Sequence, residues 1–158
     1  KAAVVSITDI NRAAAEDYPS RPITLVVTFA SVFLSGCFAL NQNQSKNLNW
    51  VNQSRAQYGR RALPINPDAQ AKAQAWANRL ASENRLYHSN LASGIHVRWC
   101  GLAENVGYGA KTQDVHASFM RSPAHRANIL DTSWNGVGIG VARRGSRAWV
   151  VHVFIRTC

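Results

Sequence analysis

The order of predicted elements places this 158-residue chain in the α+β class, with an antiparallel sheet. Three observations carry that assignment. Helical patterns come first in the domain, between about Ser45 and Met120, interrupted by a loop-rich stretch at 89–110. Two strand-like runs, Gly136–Val141 and Ala148–Ile155, close it. Between those runs stands Arg144-Gly145-Ser146, a hairpin turn signal that makes the pair antiparallel.

Taken in order, residues 1–20 are mixed and poorly periodic. After Arg21-Pro22 comes ITLVVTFASVFL, an uncharged and mostly apolar run of the length expected for the core of a secretory signal. It ends in Leu34-Ser35-Gly36-Cys37, which resembles the lipobox of bacterial lipoproteins, where the cysteine takes the lipid. The competing reading is an uncleaved anchor over residues 23–40, which just reaches spanning length. Either reading makes the remainder an exported, membrane-tethered domain. Residues 1–36 are thus read as an extension and export segment. Residues 37–46 are the lipidation site and a polar linker, in which Asn41-Gln42-Asn43-Gln44-Ser45 suits a solvated spacer. The folded domain is 47–158.

Within that domain, Ser45 is positioned to cap a first helix running to Tyr58, with Gly59 as its stop. Asn66-Pro67 is a cap followed by a first-turn proline, and opens a second, alanine-rich helix reaching Leu86-Tyr87. Its predicted buried stripe is Ala69, Ala73, Trp76, Ala77 and Leu80. His88 would then sit at its C-terminal edge. Gly94, Gly101, Gly107 and Gly109 make residues 89–110 read as loop, with a short strand at Val97–Cys100. A third helix covers Thr112–Met120, and Ser122-Pro123 starts a short helical turn.

Formal net charge is +10, from 18 Lys and Arg against 8 Asp and Glu. That balance attracts anionic surfaces: cell-wall polymers, anionic lipid or nucleic acid. Nucleic acid is disfavoured, since the basic residues are scattered and no nucleic-acid motif is present. With Cys37 assigned to lipid, Cys100 and Cys158 remain, and an even remainder in an oxidising compartment reads as one disulfide.

Three further residues stand out: His88 after the long helix, Glu104 in Ala103-Glu104-Asn105-Val106, and His125 in Arg121-Ser122-Pro123-Ala124-His125-Arg126-Ala127-Asn128-Ile129-Leu130. The order of these segments, with Asn52-x-x-Arg55, Leu63-Pro64 and Val137-Gly138-Ile139-Gly140, resembles the CAP superfamily of SCP-like extracellular domains, in its bacterial branch. The resemblance runs from about Leu48 to the C-terminus. It implies a three-layer α-β-α sandwich with a central, mainly antiparallel sheet. It also implies one cleft in which His88 and His125 form a metal-capable pair and Glu104 the first of two glutamates. The second glutamate of the family is expected on the third helix, where this chain has Phe119-Met120-Arg121; Asp114 lies too early to replace it. Two imidazoles and one carboxylate could hold a divalent metal such as Zn²⁺ and leave room for water. No HExxH spacing is present, and Ser89 beside His88 does not make a catalytic pair. Glu104 is the one candidate catalytic group. The reading is therefore an exported binding module, with a metal-dependent, protease-like hydrolase as the alternative. Asn105 and Asn128 read as structural. His96, His116 and His152 read as surface or core histidines, and Trp134 is the tryptophan whose exposure matters.

Overall fold

A computed structural model describes residues 39–158; the export segment and Cys37 lie outside them. The described chain runs α1 (Gln42–Gln57), α2 (Pro67–Glu83), β1 (Trp99–Gly109), α3 (Thr112–Arg121), α4 (Pro123–Leu130), β2 (Gly136–Arg144) and β3 (Arg147–Thr157). The strands form one antiparallel sheet in the order β1-β3-β2. One face packs on α2, through Leu102, Val106, Trp149, Val151, Val153 and Ile155. The other packs on α1, α3 and α4, through Ala103, Val137, Ile139, Val150 and Phe154. Period-two alternation along β3 supplies both cores from one strand. The result is the expected three-layer sandwich. None of the described helices is long and apolar enough to cross a membrane.

The sharpest packing constraint lies between α2 and β2. A Cβ at Gly138 or Gly140 would fall inside the backbone carbonyls of Ala69 and Ala73. Helix backbone therefore rests directly on strand backbone, which only glycine facing alanine permits. The same approach lets two glutamines, one turn apart, hydrogen-bond the outer side of β2. Gln70 accepts from Ile139 N at 2.8 Å and donates to its carbonyl at 2.8 Å. Gln74 does the same with Val141, at 3.1 and 3.0 Å. Val137 is held by the chain at Pro64–Asn66. At the hairpin, Gly145 takes a positive φ of 58°.

Several boundaries differ from the sequence reading. Helix α1 starts before Ser45, because Asn41 is its cap and forms a capping box with Gln44. The polar run 41–45 is therefore the cap and first turn of the helix rather than a solvated spacer. Helix α2 stops at Glu83, where Asn84 adopts the left-handed conformation. His88 thus lies beyond the helix, not at its C-terminal edge. Gln70 and Ala81 complete the buried stripe; Trp76 is only partly buried, and its Nε1 donates to Tyr87 O at 3.0 Å. The largest difference is at 99–109, a continuous strand rather than loop with a short strand at 97–100. Its glycines are places of close approach, not turns: a Cβ on Gly107 would meet the Phe119 ring at 2.9 Å.

The disulfide joins Cys100 to Cys158, closing a separation of 58 residues. Loop entropy puts its contribution at about 4 kcal/mol. On α1, buried Arg55 donates to the carbonyls of Arg61, Ile129 and Asp131, fastening α1 to the end of α4. Trp134 is buried and donates to Asn128 O at 2.8 Å, so it belongs to the core.

The α2–β2 contact makes a direct prediction. Gly138→Ala should destabilise the protein by at least about 2 kcal/mol, because backbone cannot yield as a side chain does. Ser146→Ala, at the exposed hairpin, should shift stability by less than about 0.5 kcal/mol. Urea unfolding of both variants measures this; equal midpoints would refute the close seating.

Candidate functional site

The site is built around two consecutive residues of β1. Alternation sends Glu104 to the α2 face with Leu102 and Val106, and Asn105 to the α3–α4 face with Ala103. Each residue fixes one histidine. Glu104, 5% exposed, sits 2.7 Å from His88 Nδ1 through Oε1. The same oxygen accepts from Ser89 N at 3.0 Å, and Oε2 accepts from Ser89 Oγ at 2.7 Å. The carboxylate therefore clamps the segment that leaves α2. Donation from His88 Nδ1–H leaves Nε2 as the lone-pair nitrogen, and that atom is buried with no protein partner.

On the other face, Asn105 Nδ2 donates to His125 O at 3.1 Å, and Asn128 Nδ2 donates to Asn105 Oδ1 at 2.9 Å. These bonds hold α4 against β1. Pro123 at the first position of α4 turns His125 inward, where it is 4% exposed. Its Nδ1 is 2.8 Å from Ser122 Oγ. Burial lowers the His125 pKa, and the neighbouring His88 lowers it further, so the ring is neutral at physiological pH.

His88 and Glu104 are thus in direct contact. His125 bonds to neither of them but lies within electrostatic range of His88. Glu104 has both oxygens engaged, so it serves as the orienting partner of His88 rather than as a third ligand. Among the described residues, no group of three His, Cys, Asp or Glu side chains is placed to hold a metal ion. Where a second glutamate was sought, Phe119 lies with its ring centroid 5.1 Å from that of His125. Asp114 is exposed on the far side of α3.

Two histidines left without partners in the sequence reading are core residues. His152 is 0% exposed, and neither ring nitrogen has a protein partner. His116 is 2.9 Å from Ser54 Oγ through Nε2, while its Nδ1 is buried and unpaired. Their rings lie 6.2 Å apart, and the Phe119 ring is 5.1 Å from that of His152. Burial drives His116 down to about 4 and His152 well below the usual histidine value. A signal for both existed: His152 alternates with Val150 and Phe154 on one face of β3, and His116 shares the buried stripe of Val115 and Phe119. Ser89 had no local signal, because its partner carboxylate lies on a strand 15 residues away. His96 is exposed.

The comparisons with known proteins agree with this architecture. The chain belongs to the CAP family, described as the cysteine-rich secretory protein family, whose profile matches residues 48–154. The "Uncharacterized protein YkwD" of Bacillus subtilis (strain 168) is 25% identical over 112 residues, covering 65% of this chain and 44% of that protein. The chain thus spans less than half the length of that relative. An outer surface protein from Borrelia burgdorferi superposes with a TM-score of 0.65 at 14% identity, covering 74% of this chain and 94% of that one. An extracellular SCP-domain protein from Bacillus anthracis gives 0.62 at 18% identity, covering 73% of this chain and 40% of that one. At these identities the two structures establish the shared fold.

The buried histidines set the acid limit of the fold. Their folded pKa values lie below the unfolded value of 6.5, so the folded state binds fewer protons. Their stabilisation is present above pH 6.5 and is lost as pH falls towards about 4. For His116 alone the loss amounts to about 3 kcal/mol. Urea unfolding at pH 7.5 and pH 4.5 should show it, and His116→Gln should flatten the difference.

Proposed function

We propose that this chain acts outside the cytoplasm as a CAP-family binding module whose His88–His125 cleft holds a divalent cation such as Zn²⁺. One observation carries the metal reading: Glu104 fixes His88 through Nδ1 and leaves Nε2 buried with no protein partner. A histidine whose second nitrogen donates to a carboxylate is the arrangement that orients imidazoles for metals. His125 repeats it with Ser122 as partner, and its lowered pKa keeps the lone pair available. His88 and His125 would hold the ion, with Glu104 behind them. Bound there, Zn²⁺ would supply a Lewis-acidic centre with positions left for an exogenous ligand.

Export is supported by the disulfide and by relatives described as extracellular and outer-surface proteins. We place the tether at Cys37, on the Leu34-Ser35-Gly36-Cys37 sequence, with an anionic wall polymer or lipid as the surface in reach.

Calorimetric titration of the full chain with zinc sulfate tests the cleft. One ion per chain should bind; His88→Ala and His125→Ala should each abolish binding, and Glu104→Gln should weaken it by about tenfold. Retention of binding in the His88→Ala/His125→Ala double variant would sink the reading. Peptide and ester substrates should not be turned over by the zinc-loaded protein; zinc-dependent turnover would replace the binding module with a hydrolase.

A further inference from the structure

A second recess lies on the outer side of α2 and adjoins the histidine cleft at Ser89, the residue after His88. It has a volume of about 550 Å³ and lies between α2 and the loop at residues 89–94. Ala71, Lys72, Ala75, Trp76 and Arg79 follow helical spacing and form its floor; Ser89, Asn90, Ser93 and Gly94 form its wall. The lining holds two cations and no carboxylate. It combines an aromatic wall with hydroxyl and amide groups, all within one concave surface. We infer that this recess binds a saccharide unit bearing an acid group, with Trp76 against the ring, Lys72 and Arg79 at the acid, and Ser89, Asn90 and Ser93 at the hydroxyls.

Three features favour that occupant. Lys72 Nζ donates to the carbonyls of Asn90 and Ser93, both at 2.7 Å, so the loop and the charge are positioned together. An ammonium carries three donors, and two such bonds leave one for a ligand. Burial pushes the Lys72 pKa down and Glu104 partly offsets this, so a bound anion would further favour the charged form. Arg79 lies 5.5 Å above Trp76, and Glu83 holds its Nε at 2.9 Å, which orients the guanidinium beside the aromatic wall. A recess of this size takes one or two sugar rings; a nucleic-acid duplex presents no single ring to it. Arg85 stacks on Tyr87 at 5.0 Å, and Tyr87 meets Trp76 edge-on with ring centroids 4.9 Å apart, so a further cation stands beside the aromatic wall.

The probes are N-acetylmuramic acid and N-acetylglucosamine, which differ by one carboxylate-bearing ether. Titration of the full chain by calorimetry should give a dissociation constant on the order of 1 mM for the acid sugar and about tenfold weaker binding for the neutral one. Amide shift changes should centre on residues 71–79 and 89–94. Arg79→Gln, at an exposed position that leaves the fold intact by circular dichroism, and Lys72→Met should each weaken the acid sugar by about tenfold. EDTA should leave the affinity unchanged, which separates this recess from the metal cleft. Equal binding of the two sugars, no binding at 20 mM acid sugar (roughly twentyfold the expected constant), shifts elsewhere in the protein, or loss of binding in EDTA would each overturn the assignment. So would displacement of the acid sugar by a short oligonucleotide at lower concentration than by the sugar itself.

Discussion

The seating of α2 directly on β2 governs the rest of the molecule. Gly138 and Gly140 remove every atom between the two backbones, and Ala69 and Ala73 complete the contact. With the helix pinned at one edge of a three-stranded sheet, the chain leaving it must cross to the opposite edge before it can enter β1. Residues 84–98 make that crossing, and they carry His88 and Ser89 onto the strand that holds Glu104. The placement of His88 is thus set by glycines some fifty residues later in the chain.

The edge strand then acts as a divider. Adjacent residues on a strand face opposite ways, so Glu104 and Asn105 reach two different layers from one point. One grips the segment after α2 by its side chains and backbone; the other grips α4 by a carbonyl. The two imidazoles approach each other because both layers are fastened to the same dipeptide. This also explains why both oxygens of the carboxylate are engaged. Its role is to set the tautomer and direction of His88, and a carboxylate bound by a backbone N–H, a hydroxyl and an imidazole is poorly placed to do anything else.

Much of the fold was legible because its signals are local. Asn66-Pro67, Ser122-Pro123 and Arg144-Gly145-Ser146 each act over three or four residues, and each marks a boundary in the structure. The α+β order and the pairing of Cys100 with Cys158 followed as readily. The failures share a cause. Gly101, Gly107 and Gly109 are a loop signal by themselves; what makes them a strand is Trp134 at Gly101, and Phe119 and Val115 at Gly107 and Gly109, standing where side chains would go, and those lie elsewhere in the chain. Asn84 ends α2 earlier than the apolar pattern does, by taking a left-handed backbone that side-chain periodicity does not register. In the candidate site, the family resemblance pointed to His88, Glu104 and His125, but not to Ser89 engaging both oxygens of Glu104. That depends on which oxygen meets which donor after folding.

The paired glutamines of α2 have a wider consequence. An unprotected outer strand is a template on which another polypeptide can extend the sheet. Here the outward amide and carbonyl groups at Val137, Ile139 and Val141 are all consumed internally, two of the three by side chains that mimic a neighbouring strand. Copies brought together at high concentration would find no open ladder along that stretch, so that edge does not seed fibrils.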